Sequence, residues 1–203
     1  MILRDAVTDA ADVDAVAWDL ETASGGMFSI MLGSRWESIL RLVISTPGHA
    51  WSVERARIAE EDGQVAGVLL GGDARTPEPD SSLGLGWGLT RLRLTGVGIA
   101  FHPFLSFMQQ HDDDEWYVTA VSVKEGMRGR GVGAALLEDA VSRARALGKR
   151  SIALDDDKKN AGARRLYEQH GFVVTGISPS AWLAGGVRVQ RMRRMLQTAA
   201  SSE

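Results

Sequence analysis

The chain contains no cysteine among its 203 residues. That removes disulfides, thiolate metal ligands and a cysteine nucleophile, and it fits a reducing compartment. Long hydrophobic runs are missing too. The longest uncharged stretch, "LTGVGIAFHPFLSFMQQ", is broken by Gly96, Gly98, His102 and Pro103, and it falls short of the ~20 apolar residues of a spanning helix. The N-terminus "MILRDAVTDAADVDA" places Asp5 and Asp9 where a secretory signal needs an apolar core. Cytoplasmic residence without membrane contact is the expectation. Basic charge is not in excess: the formal net charge is -3, whereas a nucleic-acid binder needs a basic face. The histidines lack metal-ligand spacing, and "DDDKK" (Asp155 to Lys159) lacks the Gly and distal Glu of a calcium loop. Neither a metal nor a nucleic-acid partner is expected.

What is present suits one globular domain with a sizeable core, free of repeats and low-complexity linkers. "ILR" at the N-terminus reads as a first strand. Thr8 is placed to cap a helix over "DAADVDAVAWDL", whose Val13, Val16, Ala17 and Leu20 share one face. A second helix is expected over "SRWESILRLVIST", stopping before Pro47. Asp62-Gly63 supplies the positive φ angles of a tight hairpin turn within "VERARIAEEDGQVAGVLLGG". Residues 72–110 read as an irregular insertion, apolar but glycine-rich. Then follow a strand "EWYVTAVSV", a helix through "GAALLEDAVSRARALG" ended by Gly148, and a strand "KRSIALD". A short helix "NAGARRLYEQH" has Asn160 as cap and Gly171 just past its end. "GFVVTGI" and "VRVQRMRRM" close the chain as strands, the arginines of the second alternating with Val189, Met192 and Met195 as a solvated face. Strand-helix-strand-helix-strand order in the second half requires a partly parallel sheet.

Glycines concentrate in "RGRGVGA", between the strand and the helix. Glycine weakens both elements it borders, so such a loop is expected to approach a ligand closely. Two anion sites compete. Gly129, Gly131 and Ala134 satisfy the dinucleotide fingerprint, with Asp155 ~20 residues further on. Against it, "KEGMR" separates the loop from the strand, and too few βα units follow for a doubly wound fold. No Gly-Lys-Ser/Thr follows for a Walker loop either. The second candidate is Arg128-x-x-Gly131-x-Gly133 opening a helix. Backbone N–H groups converge there, the helix N-terminus adds partial positive charge, and Arg128 and Arg130 suit a diphosphate.

"VTAVSVKEGMRGRGVGAALL" followed by "NAGARRLYEQHGF" resembles the GNAT superfamily of acetyl-CoA-dependent N-acetyltransferases. Its R/Q-x-x-G-x-G/A motif falls on Arg128, Gly131 and Gly133, and its downstream segment on Asn160, Ala163, Leu166, Tyr167, Gly171 and Phe172. The resemblance implies an α/β (α+β) fold: a central mixed, mostly antiparallel sheet with a parallel pair at splayed central strands, flanked by helices. It implies acetyl-CoA as cosubstrate, its pyrophosphate wrapped by Arg128, Gly129, Arg130, Gly131, Val132, Gly133 and Ala134. A bulge in "AVSV" would splay the strand, letting the pantetheine arm pair with Val121, Ser122 and Val123 like a missing strand. Asn160, with Ala163 beside it, would hold the pantetheine, and Lys158, Lys159, Arg164 or Arg165 the adenosine 3′-phosphate.

In the same resemblance Tyr167 is the proton donor to the departing sulfur. A thiol has a pKa of about 8.5 and a phenol about 10, which makes that exchange plausible chemistry. An alkylamine acceptor must first lose a proton, and Glu115, at the end of "HDDDE", is the first choice of base, ahead of His111 and His102. The acceptor is expected to be a primary amine of a small molecule or peptide; an acidic rim from "HDDD" would favour a cationic one. Trp36, Trp87, Phe101, Phe104, Phe107 and Trp182 read equally as acceptor pocket, core or oligomer contact, so a homodimer stays among the allowed partners. Two other classes stay open: a catalytically silent acyl-CoA-binding module on the same fold, and a dinucleotide-binding oxidoreductase.

Overall fold

A computed structural model describes residues 1–79, 102–104, 106–180 and 188–196; Trp87, Phe101 and Trp182 lie outside these. The elements are β1 (Ile2–Asp5), α1 (Ala10–Ala23), α2 (Met27–Leu32), α3 (Trp36–Ser45), β2 (Ala56–Glu61), β3 (Gln64–Asp73) and β4 (Glu115–Val123), then α4 (Val132–Ala146), β5 (Ser151–Asp157), α5 (Ala161–Gln169), β6 (Val173–Ile177) and β7 (Val189–Met195). A 3-10 turn at Gly33–Arg35 separates α2 from α3. The second helix therefore starts later than its apolar pattern suggests, with two short elements before it. Helix α1 is capped by Asp9, not Thr8: the Asp9 carboxylate accepts the Asp12 N–H at 2.8 Å. The hairpin turn is as expected, with φ of 52° at Asp62 and 74° at Gly63. Strand β3 runs on to Asp73, and most of the expected insertion at about 72–110 lies outside the described residues.

The seven strands form one sheet in the order β1-β2-β3-β4-β5-β7-β6. Every neighbouring pair is antiparallel except β4 and β5. One face carries α4 and α5: Leu136, Leu137, Val141, Tyr167 and Phe172 pack on Leu69, Trp116, Val118, Ile152, Leu154 and Met192. The other face carries α1 and α3, where Val16, Leu20, Leu40 and Ile44 pack on Ile58, Val68, Leu70 and Ala120. Gly67 on β3 lets α4 come close, since a Cβ there would sit 2.9 Å from both Ser122 O and Val132 Cγ1.

The alternation of β4 breaks in its middle. Trp116 and Val118 face the α4 layer, yet further along Val121 and Val123 do. A change of parity requires an extra residue. The register shows it: Gly71 pairs with Val118 and Leu70 with Ala120, leaving Thr119 as a bulge. This lies one residue before the expected "AVSV".

The basic last strand departs from expectation. Arg191 is buried rather than solvated, and Met195 is exposed. Arg191 grips Asp155 with two nitrogens, Nε at 2.9 Å and Nη2 at 2.7 Å, and donates to the carbonyls of Gln110 and Met108. A planar guanidinium can satisfy a carboxylate and two carbonyls at once, which is why burial is tolerated there. The Arg191 Cζ atom lies over the Phe107 ring, 4.9 Å from the ring centroid, and Trp36 packs on the α1–α3 core. Phe104 is buried as well. Trp36, Phe104 and Phe107 thus each take part in packing.

Candidate active site

Beyond the bulge, β4 and β5 part. Their parallel pairing covers Glu115↔Ser151 to Val118↔Leu154 and stops, although β4 continues to Val123 and β5 to Asp157. Val121, Ser122 and Val123 remain paired with β3 on one side only, and the edge facing β5 is open. An extended ligand can add itself there as a strand.

The glycine loop lies at the end of this opening. Gly129 and Gly131 take φ of 74° and 82°, and a Cβ at either would meet no atom within 4 Å. Positive φ explains both glycines, because L side chains rarely adopt it. Gly133 has a different reason: a Cβ there would press on Leu166 Cδ2 at 3.1 Å. The helix that follows differs from its neighbours at its start. Helix α1 is capped by Asp9 and α5 by Asn160, whereas α4 has Gly131 as N-cap with no side-chain acceptor and no acidic residue in its first turn. The N–H groups of Val132, Gly133 and Ala134 therefore point outward with the helix dipole behind them, a fit for phosphate oxygens. Arg128 is exposed and makes no ion pair among the described residues, while Arg130 is tied to Glu61 at 3.0 Å. Asn160 caps α5 through Oδ1, accepting the Ala163 N–H at 3.1 Å, which leaves its amide NH₂ free to donate.

Tyr167 projects from α5 into the α4-side core, 7% exposed, with its ring 6.1 Å from that of Phe172. Burial first, then the charges of Asp156 and Asp19, raise its phenol well above the usual value, so it carries its proton at neutral pH. The other tyrosine, Tyr117, is committed: its hydroxyl donates to Asp155 at 2.9 Å.

Glu115 is not brought to this opening. It sits at the paired start of β4, fully buried, with Arg193 Nε 2.7 Å from Oε1 and His111 Nδ1 3.7 Å from Oε2. The Ser151 hydroxyl donates to Oε1 at 3.3 Å. Burial pushes the carboxyl up, but His111, Arg193 and Arg191 outweigh it and hold it below its ordinary range. The acidic rim is likewise matched by cations: Asp112 pairs with Arg193 at 2.8 Å and Asp114 with Arg150 at 2.5 Å. Lys158, Lys159 and Arg165 are exposed beside Asn160, and Arg164 is paired with Glu168.

Sequence reading passed over Asp19. It is fully buried on α1, and burial pushes its carboxyl up to about 8, partly offset by the Ser122 hydroxyl. Burial pushes Asp156 up to about 6 against the pull of Gln190. Both folded values lie above the unfolded ~3.9. The folded state then holds these protons more tightly, so their contribution is complete below about pH 4 and is lost as pH rises through about 6 and about 8. Asp12, Asp73 and Glu115, all lowered, act in the opposite sense and cost stability as pH falls below about 4. Urea midpoints measured across pH should peak near ~5 and decline toward ~8.

An open strand edge beside an uncapped, glycine-started helix has the form that an extended, phosphate-bearing ligand fits. The sequence matches the Acetyltransferase (GNAT) family over residues 34–172, and the chain belongs to that family. No curated protein matches it in sequence. In three dimensions it is similar to a crystal structure of an acetyltransferase (TM-score 0.65, 23% identity, covering 97% of this chain and 100% of that one). An N-acetyltransferase from Staphylococcus aureus Mu50 (0.64, 15%, 95% and 100%) is similar as well. So is the ribosomal-protein-S18-alanine N-acetyltransferase from Escherichia coli (0.54, 16%, 100% and 97%). At these identities the likeness is one of fold. The chain is an acetyltransferase of GNAT type. Among the described residues no helix is long and apolar enough to cross a membrane.

Proposed function

We propose that the protein transfers an acetyl group from acetyl-CoA to a primary amine of a small molecule or peptide, by direct attack with both substrates bound. One observation carries this: among the described strands the one parallel pair, β4 and β5, opens at Thr119, and the helix that follows β4 begins with N–H groups that have no side-chain cap. Acetyl-CoA supplies an activated thioester. The N–H groups of Val132, Gly133 and Ala134, with Arg128, hold the pyrophosphate. The open edge of Val121 to Val123 orients the pantetheine and offers an N–H to polarise the acetyl carbonyl, as an oxyanion-type donor does. The Asn160 amide donates to the arm, with Ala163 beneath it. Tyr167 gives its proton to the departing sulfur. Glu115, spent on Arg193 and Ser151, supports the closed end of β4 instead of taking the amine proton.

Calorimetric titration tests the donor site. Acetyl-CoA is expected to bind at micromolar strength and NAD not at all, with an Arg128→Ala, Gly131→Ala variant losing at least about tenfold in affinity, the equivalent of 1.4 kcal/mol. Binding of NAD in its place would make the loop a dinucleotide site. Tight acetyl-CoA binding with no acetylation of any amine in a broad screen would make the protein a silent acyl-CoA-binding module.

A further inference from the structure

Asp12, Val16 and Asp19 follow at the i, i+4, i+7 spacing along α1, so two carboxylates lie within the stripe that faces the sheet. Their environments differ. Arg4 clamps Asp12 with contacts of 2.7 and 2.8 Å, and Asp12 also accepts the Val7 N–H at 2.8 Å. Asp19 is 0% exposed, and neither of its carboxyl oxygens has a hydrogen-bond partner among the described residues. A buried carboxyl without a partner opposes folding. Packing alone would be served better by an apolar side chain at that point of the stripe.

The position of Asp19 supplies a reason. Ser122 donates its hydroxyl to the main-chain carbonyl of Asp19 at 3.4 Å. That turn of α1 therefore sits on β4 three residues beyond the Thr119 bulge, over the stretch that has left β5. Tyr167 reaches the same opening from the opposite layer, near enough for the charge of Asp19 to raise its phenol. Ser122 from β4 is the polar group beside Asp19, and the Tyr167 phenol lies within reach of its charge. The Lys124 ammonium caps the neighbouring Trp18 ring at 3.5 Å, and Glu21 is turned to the Phe28 and Ser29 N–H groups of α2. No charged group of α3 or β3 acts on it among the described residues.

We infer that Asp19 is the base that takes the proton from the acceptor amine, working across the opening from Tyr167. This rests on the acetyl-transfer reading of the opening. The ammonium form of the acceptor gives one proton to the Asp19 carboxylate, freeing the nitrogen lone pair. The N–C bond to the acetyl carbon forms and the C–S bond breaks. Tyr167 protonates the leaving sulfur and is refilled by the second proton of the nitrogen. Asp19 returns its proton to water, so that an ammonium and a thioester become an amide, a thiol and one released proton. Two consequences are built in. In its ionised form, which gains population as pH rises toward about 8, Asp19 can accept a proton from an amine more readily than Glu115, which His111, Arg193 and Arg191 hold low. Once protonated, Asp19 no longer raises the Tyr167 phenol, which makes the phenol a better acid when the sulfur leaves.

The test compares wild type with Asp19→Asn, an amide close in shape to the neutral acid. Acetyl-CoA titration comes first, and equal affinity is expected. Acetylation is then measured with two small nucleophiles, methylamine, protonated at neutral pH, and hydroxylamine, which is not. Methylamine turnover should fall about 100-fold and hydroxylamine turnover less than about fivefold, because only the first must shed a proton before attack. The decline of the urea midpoint between about pH 5 and pH 8 should become shallower. Equal losses with both nucleophiles, full methylamine turnover, or loss of acetyl-CoA affinity in the variant would each overturn the role of Asp19 and leave the transfer site standing. Failure of wild type to acetylate these probes or any amine of the broad screen, while binding acetyl-CoA, would remove the transfer reading itself, and Asp19 with it.

Discussion

Replacing Tyr167 with Phe is expected to lower kcat by about 10²- to 10⁴-fold, the usual worth of a positioned general acid. Acetyl-CoA affinity and thermal stability should stay close to wild type. The ring packs beside Phe172 in the α4-side core, and Phe keeps that packing while losing only the hydroxyl. Burial and two neighbouring carboxyls keep the phenol protonated across the neutral range. No limb of the pH–rate profile below about pH 9 should therefore belong to it. Single-turnover measurements with wild type and variant separate the chemical step from product release. An unchanged rate of acetyl transfer would remove Tyr167 as the acid; the other tyrosine, Tyr117, is already hydrogen-bonded to Asp155.

The second large effect concerns stability. Arg193→Ala is expected to cost about 3–5 kcal/mol, since it strands the Glu115 carboxylate in a fully buried site. Glu115→Gln combined with Arg193→Met should recover much of that loss, because no buried carboxylate is then stranded and Asp112, which also loses Arg193, is exposed. Urea unfolding of the two variants measures both. The double variant also bears on chemistry. Retained turnover would confirm that Glu115 holds the closed end of β4 to β5 and β7; a loss comparable to that of Tyr167→Phe would return Glu115 to the role of base.

The parts of this molecule legible in sequence are those made by neighbours along the chain. Asn160 capping Ala163, Gly171 beyond α5, the Asp62-Gly63 turn and the uncapped glycine start of α4 each depend on contacts within a few residues, and each stands as read. Local reading failed where two local solutions competed. Thr8 and Asp9 are both good caps, and only the β1–α1 connection chooses between them. The bulge left a trace: the apolar positions of "EWYVTAVSV" change parity midway, at Thr119. Asp19 left one too, as an acid among Val13, Val16 and Leu20 in the buried stripe.

What the sequence by itself determined is the glycine turn that opens α4, the helix that carries Tyr167, and the family to which both belong. Backbone conformation at glycines and caps is a short-range matter, and the order of residues is sufficient for it. Only the tertiary structure decided the fates of the charges. Arg191 reaches Asp155 across 36 residues, and Arg193 reaches Glu115 from a strand at the far end of the chain. Whether a carboxylate is neutralised, solvated or left alone in a buried gap depends on what the fold brings against it. The same physics separates Glu115, matched by cations and held low, from Asp19, buried without a partner and poised near neutrality.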